Sequence, residues 1–361
     1  MKVLVTGAAG LIGNYLSRQL IWRGDDVVGI DNFDDYYPRN CKEFNVDLVN
    51  LAAVRNTQFF PKRSVLPIYE KLSTYYKNIV PENKRGNFRF HELDVRDVDG
   101  INQLFEKEKF DKVVHLAAMA GVPFSTKFPA MYTQVNVDGT TNVLTASKDN
   151  GVKKFVFAST ASVYGSEELT TVKETDSVMR ANSNYGATKV AGEVLCYAFY
   201  NLYGLKTASV RIFGPIYGPL QRPKGMFMQR IINYIRNGKT LQIYGRQGLE
   251  TAKDTTYIDD EVNGIILVMD ADLEAYDVFN IGTSDPYPIK DWIRAAEDAY
   301  GEKVKVEIVE ADKADTTSSA DISKARKLLG YNPKVDIFEG AKRQVEVFKL
   351  MPEWYQTLSD V

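Results

Sequence analysis

Tyr185 and Lys189 are four residues apart, a spacing that places two side chains on one face of a helix. A tyrosine with an ordinary pKa of about 10 is a poor base at neutral pH, but a nearby ammonium group favours its phenolate form. The pair could therefore accept a proton from a hydroxyl group. An exposed Tyr–Lys face without a catalytic role is the alternative interpretation.

A hydroxyl-rich segment lies upstream of this pair, where Ser159–Gly165 reads STASVYG. It follows an apolar run that is typical of a buried strand. A hydroxyl group at the end of that strand could share the reacting oxygen of a substrate with Tyr185. The sequence therefore predicts that this strand end and the YxxxK helix form one site.

Three glycines form a GxxGxxG pattern between the first predicted strand and the first predicted helix. Such a turn brings the backbone close to a pyrophosphate, and the free N–H groups of the helix N-terminus point at the phosphates. The pattern alone is weak, but its place after an N-terminal strand favours a dinucleotide site. The predicted phosphate-binding residues are Gly7, Gly10, Leu11, Ile12 and Gly13.

Asp31 ends the second predicted strand, where a carboxylate can accept hydrogen bonds from the adenosine ribose. Asn32 follows it, and no arginine that could receive a 2′-phosphate occurs before Arg39. These residues favour NAD over NADP. A turn-capping role is the alternative for Asp31.

The next two strands also end in candidate cofactor contacts, because ligands of such sheets bind at the carboxyl ends of the strands. Small side chains there would let a ribose phosphate approach the backbone, although close packing explains the alanines equally well. These candidates are Asp94, Val95, Leu116, Ala117 and Ala118.

Short apolar runs alternate with amphipathic helical patterns through the first half of the chain. This alternation predicts an α/β fold of the Rossmann type, a doubly wound parallel sheet with helices on both faces. The predicted strands are Val3–Thr6, Val27–Ile30, Phe88–Phe90, Val113–Leu116, Phe155–Ser159 and Thr207–Ile212.

The pattern becomes mixed after Pro215. We therefore expect residues 1–215 to form an NAD-binding domain and residues 216–361 to form mainly a smaller, mixed α/β substrate lobe. One strand near 278–281 should return to the main sheet. Residues 39–85 are an insertion in the first domain, and we expect helices in it because a structureless loop of that length is rare.

Composition excludes several classes of function. Lys plus Arg number 45 against 47 Asp plus Glu, with no basic run, so a nucleic-acid partner has little electrostatic support. Two distant cysteines and two histidines predict neither a disulfide framework nor a metal site. No apolar run approaches the roughly 20 residues of a membrane span, and the start does not resemble a signal peptide. We expect a cytoplasmic protein.

Several motifs together resemble the extended short-chain dehydrogenase/reductases, over nearly the whole chain except most of 39–85. The segments IDNFDDYYP and AGVPFS are most similar to UDP-glucuronate 4-epimerases, and next to UDP-glucose 4-epimerases. The motifs are GxxGxxG, HLAA (115–118), NVDGT (136–140), STASVYG (159–165), YGATK (185–189), RIFGPIYGP (211–219), YIDD (257–260) and FNIG (279–282).

The resemblance implies a nucleotide-sugar 4-epimerase that acts on UDP-glucuronate or a UDP-hexose with a bound NAD that is not consumed. Tyr185 would take the proton of the sugar 4-hydroxyl while C4 is oxidised, and Thr160 would bind the same oxygen. Lys189 would hold the nicotinamide ribose, and Pro215 would contact the carboxamide. The family also implies a homodimer formed through two long helices.

Departures from the family pattern affect the substrate contacts. Gly214 stands where Asn or Thr is usual, Pro123 where Arg is frequent, and Lys253 where an Arg usually binds phosphate, while 311–321 lacks a second such Arg. Lysine cannot make the bidentate contact of arginine. The diphosphate would then be held by Lys253, Arg222 or backbone amides. The candidate substrate contacts are Ser125, Thr160, Ser162, Tyr185, Gly214, Arg222 and Lys253.

Three alternatives remain open at this point: a nucleotide-sugar dehydratase or decarboxylase, a net dehydrogenase, and a non-catalytic NAD-binding scaffold. Dehydratases and decarboxylases of this superfamily usually carry an acidic residue just after the catalytic threonine. Ala161 and Ser162 occupy those positions here. The sequence therefore favours epimerisation.

Overall fold

The computed structural model describes residues 1–53, 65–76, 80–165, 171–222, 225–245, 248–310 and 319–358. Within these ranges, the strands are β1 (Lys2–Thr6), β2 (Asp26–Asp31), β3 (Phe88–Glu92), β4 (Lys112–His115), β5 (Lys154–Thr160), β6 (Thr171–Val172), β7 (Thr207–Ile212), β8 (Thr240–Tyr244), β9 (Ala252–Lys253), β10 (Asp277–Ile281), β11 (Tyr287–Pro288), β12 (Lys305–Val309) and β13 (Ser319–Ala320).

The helices cover both faces of the sheet formed by seven of these strands. They are α1 (Leu11–Arg23), α2 (Arg39–Ala53), α3 (Leu66–Ser73), α4 (Val98–Glu108), α5 (Val122–Lys127), α6 (Pro129–Thr133), α7 (Gly139–Asp149), α8 (Asn184–Tyr203), α9 (Phe227–Asn237), α10 (Ile258–Asp270), α11 (Ile289–Tyr300), α12 (Ser323–Leu329), α13 (Ile337–Phe348) and α14 (Glu353–Gln356). Short helical turns of other types occur at Glu82–Lys84, Gln134–Asp138 and Ala161–Tyr164.

The central sheet has the strand order β10-β7-β5-β4-β1-β2-β3, and every pair in it is parallel. Its middle strands are buried on both faces: Val3 and Val5 of β1 pack into one hydrophobic core and Leu4 into the other. This arrangement confirms the predicted Rossmann fold. The strand order reverses between β1 and β4, which is where ligands bind in such sheets.

The insertion at 39–85 contains the expected helices, α2 and α3. The side chain of Asn45 on α2 donates to the carbonyl oxygen of Ala9 at 2.8 Å, beside the glycine-rich turn. On the other side, Lys71 of α3 and the Tyr75 hydroxyl both bind Glu346 of α13, at 2.7 and 2.9 Å. The insertion therefore connects the region after β1 to the C-terminal helices.

The second half of the chain contributes both to the sheet and to a smaller lobe. β10 lies at the edge of the sheet beside β7, whereas β8 pairs with β12 and β9 with β11 in separate two-stranded sheets. Among the described residues, no helix is both long and apolar enough to span a membrane.

Candidate active site

A cleft opens at the carboxyl ends of β1, β2, β4 and β5, over the point where the strand order reverses. Most of the cofactor contacts predicted from the sequence line it, and so does one predicted substrate contact from the second half of the chain. These lining residues are Gly7, Gly10, Leu11, Ile12, Gly13, Asp31, Asn32, Asp94, Val95, Leu116, Ala117, Ala118, Tyr185, Lys189 and Arg222.

The three glycines of the first turn meet different constraints. Gly7 has a φ of +70°, and a Cβ there would lie 2.9 Å from the Ala117 nitrogen. A Cβ on Gly13 would lie 2.2 Å from the Gly7 oxygen, so both positions require glycine for packing. A Cβ on Gly10 would lie 3.3 Å from that oxygen, which is tight but less so than at the other two positions, and Gly10 lines the cleft. The turn therefore fits the close approach of a dinucleotide pyrophosphate.

Asp31 ends β2 with its carboxylate already anchored. One oxygen accepts the Phe33 N–H at 2.9 Å and the other the Ala9 N–H at 3.2 Å. Burial raises the pKa of Asp31, and the Lys42 ammonium opposes that rise. A carboxylate oxygen accepts more than one hydrogen bond, so Asp31 retains acceptor capacity for ribose hydroxyls.

Tyr185 stands in the first turn of α8, which begins where Ser183 caps the helix by accepting the Gly186 N–H at 3.0 Å. Burial raises the pKa of Tyr185, whereas a hydrogen bond with the Thr160 hydroxyl and the positive charge of Arg222 lower it. Arg222 is therefore a cation that acts on Tyr185, and the effect expected of the Lys189 ammonium on this pKa stays a prediction.

Burial limits the positive charge that Lys189 can supply. Lys189 is 3% exposed, its Nζ donates to the Ala158 carbonyl oxygen at 2.8 Å, and desolvation lowers the pKa of its ammonium group to about 7. A lysine with that pKa is only partly charged near neutrality. The helical spacing brought Tyr185 and Lys189 to the same cleft, but spacing does not report how deeply the ammonium group is buried.

Thr160 ends the fully buried strand β5. Its hydroxyl oxygen accepts the Ser162 N–H at 3.2 Å, which starts the turn at Ala161–Tyr164, and it is hydrogen-bonded to Tyr185. Thr160 and Ser162 are not among the residues that line the cleft. The predicted meeting of the β5 end with the YxxxK helix nevertheless occurs in the structure.

The other predicted ligand contacts lie outside the cleft lining. Ser125 is fully buried on α5, and its hydroxyl donates to the Val122 carbonyl oxygen at 2.7 Å. Pro215 follows Gly214 after β7, and its carbonyl oxygen accepts the Thr255 hydroxyl at 2.6 Å. Lys253 lies on β9, paired with Tyr287 of β11. Most of 311–321, the segment that lacks the family's second phosphate-binding arginine, falls outside the described residues.

Sequence reasoning assigned no role to four residues of the cleft wall near Asp31. They are Asp34, Tyr36, Tyr37 and Lys42. The first three belong to IDNFDDYYP, which carried the family resemblance, so a signal was present. Lys42 is on α2 of the insertion and had no signal in the sequence.

Other motif residues hold the strand ends in place. The buried Arg211 pairs with Glu193 at 2.7 Å and donates to the Tyr164 hydroxyl at 2.9 Å, which in turn donates to Asn280 at 2.6 Å. These four side chains join β7, α8, β10 and the turn after β5. Buried polar groups require partners, and this network supplies them.

His115 of the HLAA motif is buried at the end of β4. Its two ring nitrogens lie 2.8 Å from the Thr6 hydroxyl and 3.1 Å from the Thr140 hydroxyl, and burial lowers its pKa to about 3. The imidazole is therefore neutral and fixes the ends of β1 and β4 at the switch point.

Comparisons with known proteins agree with this geometry. The UDP-glucuronate 4-epimerase of Thermodesulfobacterium geofontis is 36% identical over 346 residues, which cover 95% of this chain and 94% of that protein. The crystal structure of UDP-glucuronic acid 4-epimerase from Bacillus cereus in complex with UDP-glucuronic acid and NAD has a TM-score of 0.78 at 30% identity, covering 97% of this chain and 99% of that chain. The UDP-glucose 4-epimerase of Thermotoga maritima, solved with UDP-glucose, has a TM-score of 0.75 at 28% identity and the same coverage.

The model of the NAD dependent epimerase/dehydratase family matches residues 3–282, which span the whole parallel sheet. Together with the glycine turn, Asp31 and the Thr160–Tyr185 contact, this match identifies the chain as a member of the NAD dependent epimerase/dehydratase family.

Proposed function

We propose that this chain is a nucleotide-sugar 4-epimerase that works with bound NAD and acts on UDP-glucuronate. The observation that carries the proposal is the hydrogen bond between Thr160 and the partly buried Tyr185 at the edge of a dinucleotide cleft. Relatives named UDP-glucuronate 4-epimerase, one of which was solved with UDP-glucuronic acid and NAD, support the reaction and the substrate.

NAD, when bound, supplies reversible hydride acceptance at C4 of the sugar. The chain supplies the proton chemistry. Tyr185 accepts the proton of the 4-hydroxyl and Thr160 hydrogen-bonds the same oxygen, so that C4 becomes a ketone. The sugar ring then turns, and Tyr185 returns the proton when C4 is reduced from its other face.

The cofactor contacts follow from the lining of the cleft. Gly7, Gly10 and Gly13 leave room for the pyrophosphate at the start of α1, and Asp31 accepts from the adenosine ribose. The remaining proposed cofactor contacts on the lining are Leu11, Ile12, Asn32, Asp94, Val95, Leu116, Ala117, Ala118, Tyr185 and Lys189. Pro215, outside the lining, remains our candidate for the contact with the carboxamide.

Arg222 is the strongest of the proposed substrate contacts. It lines the cleft, and its charge is close enough to lower the pKa of Tyr185. A guanidinium group near the reacting end of the cleft suits an acidic group of the substrate, either the uronate carboxylate or the diphosphate. Lys253 remains our candidate for the diphosphate, and Ser125, Ser162 and Gly214 our candidates for neutral contacts.

Epimerisation is favoured over elimination or decarboxylation at the same intermediate. Those reactions need an acid or base at C5 or C6. The two residues after Thr160 are Ala161 and Ser162, and neither has a carboxyl group. Reduction at C4 is therefore the favoured reaction of the 4-keto sugar.

Incubation of the purified protein with UDP-glucuronate, without added NAD, tests this function. The expected product has unchanged mass and inverted configuration at C4. Loss of water or of carbon dioxide, seen by mass spectrometry as the main reaction, would replace the epimerase with a dehydratase or a decarboxylase. Net accumulation of NADH on adding NAD would indicate a dehydrogenase.

We also propose a homodimer formed through α7 and α8. α8 carries exposed apolar side chains at Val194, Tyr197, Leu202 and Tyr203, with exposed fractions of 54–67%. Burial of such side chains in a second copy would be favourable. Sedimentation of the wild-type protein should give a dimer and that of a Val194→Glu/Tyr197→Glu variant a monomer; a wild-type monomer would contradict the proposal.

Finally, we propose that the two parts of the chain on either side of Pro215 have different roles. Residues 1–215, with the insertion at 39–85, would bind the cofactor. Residues 216–361, apart from β10, would supply substrate contacts such as Arg222 and Lys253.

A further inference from the structure

The loop after β2 contains two adjacent tyrosines, and each faces a cation of the cleft. The guanidinium carbon of Arg222 lies 4.8 Å from the ring centroid of Tyr36, and the Nζ of Lys42 lies 4.7 Å from that of Tyr37. All four residues line the cleft. Tyr37 therefore lies on the side of the cleft where the Lys42 charge acts on Asp31. Tyr36 lies on the side of Arg222.

The position of Tyr36 is set by side chains of the cofactor loop. Asp31 accepts the Phe33 N–H at 2.9 Å, Asn32 the Asp34 N–H at 3.0 Å, and Asp34 the Tyr36 N–H at 2.8 Å. Each is a side chain that bonds the backbone two residues on, which fixes a turn locally. The same segment that is proposed to hold the adenosine ribose thus fixes the aromatic ring.

The guanidinium group of Arg222 lies over this ring. Its Nε is buried without a hydrogen-bond partner among the described residues. An aromatic face attracts the plane of a guanidinium group and leaves its N–H edge available. That edge can then form a bidentate contact with a carboxylate or a phosphate.

We infer that Tyr36 is a positioning residue for substrate affinity. Its ring holds the Arg222 guanidinium so that the N–H edge meets the acidic group of the nucleotide sugar, and the cofactor loop in this way sets the strength of substrate binding. The inference rests on the proposed function, because it takes Arg222 as a substrate contact.

The test compares Tyr36→Leu with Tyr36→Phe in the NAD-bound protein. Loss of a cation–π contact of this kind corresponds to a rise of about 3- to 30-fold in the KM for UDP-glucuronate in the leucine variant. kcat should fall much less than KM rises, and calorimetry should give a matching rise in Kd. The phenylalanine variant keeps the ring and should stay within about twofold of the wild type.

The Arg222→Gln background separates positioning from a general loss of structure. Tyr36→Leu should add less than about twofold there, since contacts that act through one another are not additive. A full, additive loss, or an equal loss in Tyr36→Phe, overturns the inference. UDP-glucose, which has no carboxylate, is the second ligand. If Tyr36→Leu weakens only the binding of UDP-glucuronate, Arg222 binds the carboxylate. If it weakens the binding of both ligands equally, Arg222 binds the diphosphate.

Failure of this inference is distinguishable from failure of the proposed function. If the wild type neither binds nor converts UDP-glucuronate, or if Arg222→Gln behaves as the wild type, the proposed function or its Arg222 contact is wrong, and the inference falls with it. If Arg222→Gln is impaired and Tyr36→Leu is not, only the role of Tyr36 is wrong.

Discussion

The glycine-turn side of the cleft and the Arg222 side were predictable to different degrees. On the first side, every predicted contact from Gly7 to Ala118 lines the cleft. On the second side, Arg222 lines it, but Ser125, Gly214 and Lys253 do not. The cofactor side is built from backbone at the ends of adjacent strands, whereas the substrate side is built from single side chains carried by distant loops.

This contrast has a physical origin. A pyrophosphate is bound by backbone N–H groups, so the requirement is the absence of side chains at fixed spacings, which a short sequence motif records. A sugar or a diphosphate is bound by side-chain charge, and its geometry depends on where a long-range fold brings each residue. The largest effect on activity is expected at Tyr185, where the two sides meet.

Tyr185→Phe should retain NAD and lose catalysis, because only the proton-accepting oxygen is removed. Loss of a general base typically costs about 10²–10⁴-fold in rate. Epimerase assays with UDP-glucuronate measure the loss, and the absorbance of cofactor released on denaturation measures NAD retention. Near-normal turnover would show that another group accepts the proton.

Arg222→Gln should raise the KM for UDP-glucuronate by about 30-fold or more, because truncation of one partner of a buried charge pair costs about 2–5 kcal/mol. Its charge lowers the pKa of Tyr185. Removal of that charge should raise this pKa, so activity that depends on the phenolate should develop at higher pH than in the wild type.

Lys253→Gln is the matched control on the same side of the cleft. Because Lys253 lies on β9 outside the cleft lining, its effect on KM should be smaller than that of Arg222→Gln, and the pH–rate profile should not move. A larger effect at Lys253 would mean that the diphosphate, rather than the acidic group near Tyr185, dominates substrate binding.

Gly10→Ala should separate ligand approach from packing on the cofactor side. A methyl group there would lie 3.3 Å from the Gly7 oxygen, a tight contact that a small shift of the turn relieves, so the fold should be affected much less than by a closer contact. The methyl group should also hinder the charge-assisted hydrogen bonds to the pyrophosphate and lower the NAD affinity by about 10-fold or more.

Gly13→Ala is the companion variant, since its methyl group would lie 2.2 Å from the same oxygen and should destabilise the fold itself. Thermal unfolding and NAD titration distinguish the two. Equal loss of stability in both variants would mean that Gly10, like Gly13, is a packing residue.

The last prediction concerns pH and the histidine at the switch point. The pKa of His115 is about 3 in the folded protein, so the unfolded chain binds a proton between about pH 6.5 and pH 3 that the folded protein does not. Stability is therefore lost as the pH falls through this range. Between pH 7 and pH 5, His115 should account for about 2 kcal/mol of that loss.

Urea unfolding of the wild type and of His115→Gln at both pH values measures this contribution. The variant should be less stable at pH 7, because it disturbs the contacts with Thr6 and Thr140, but it should lose less stability on acidification. An identical loss in the two proteins would contradict the account of a neutral, buried imidazole.

The alternation of strands and helices was enough to predict the Rossmann sheet, since each strand of such a sheet is an apolar run between amphipathic helices. The YxxxK spacing was enough to bring Tyr185 and Lys189 to one cleft. Neither pattern could reveal that burial lowers the pKa of Lys189 to about 7, or that Arg222 supplies the charge near Tyr185. Both facts depend on desolvation and on contacts between residues far apart in the chain.

Tyr36 and Lys42 are cleft residues that sequence patterns could not identify. Tyr36 stands in a motif whose only signal is its resemblance to a family, and its proposed role depends on Arg222, which lies 186 positions later in the sequence. Lys42 comes from the insertion, where no motif exists. Contacts of this kind become visible only when the fold brings the residues together.

The central claim is that C4 is oxidised and then reduced within one cleft. UDP-glucuronate that carries deuterium at C4, incubated with the purified protein and no added NAD, tests it most directly. The account predicts a C4-inverted product that retains the deuterium at C4, because the hydrogen removed by oxidation is the hydrogen that returns. Loss of the deuterium from the nucleotide sugar, or its appearance in free NADH, would contradict the account.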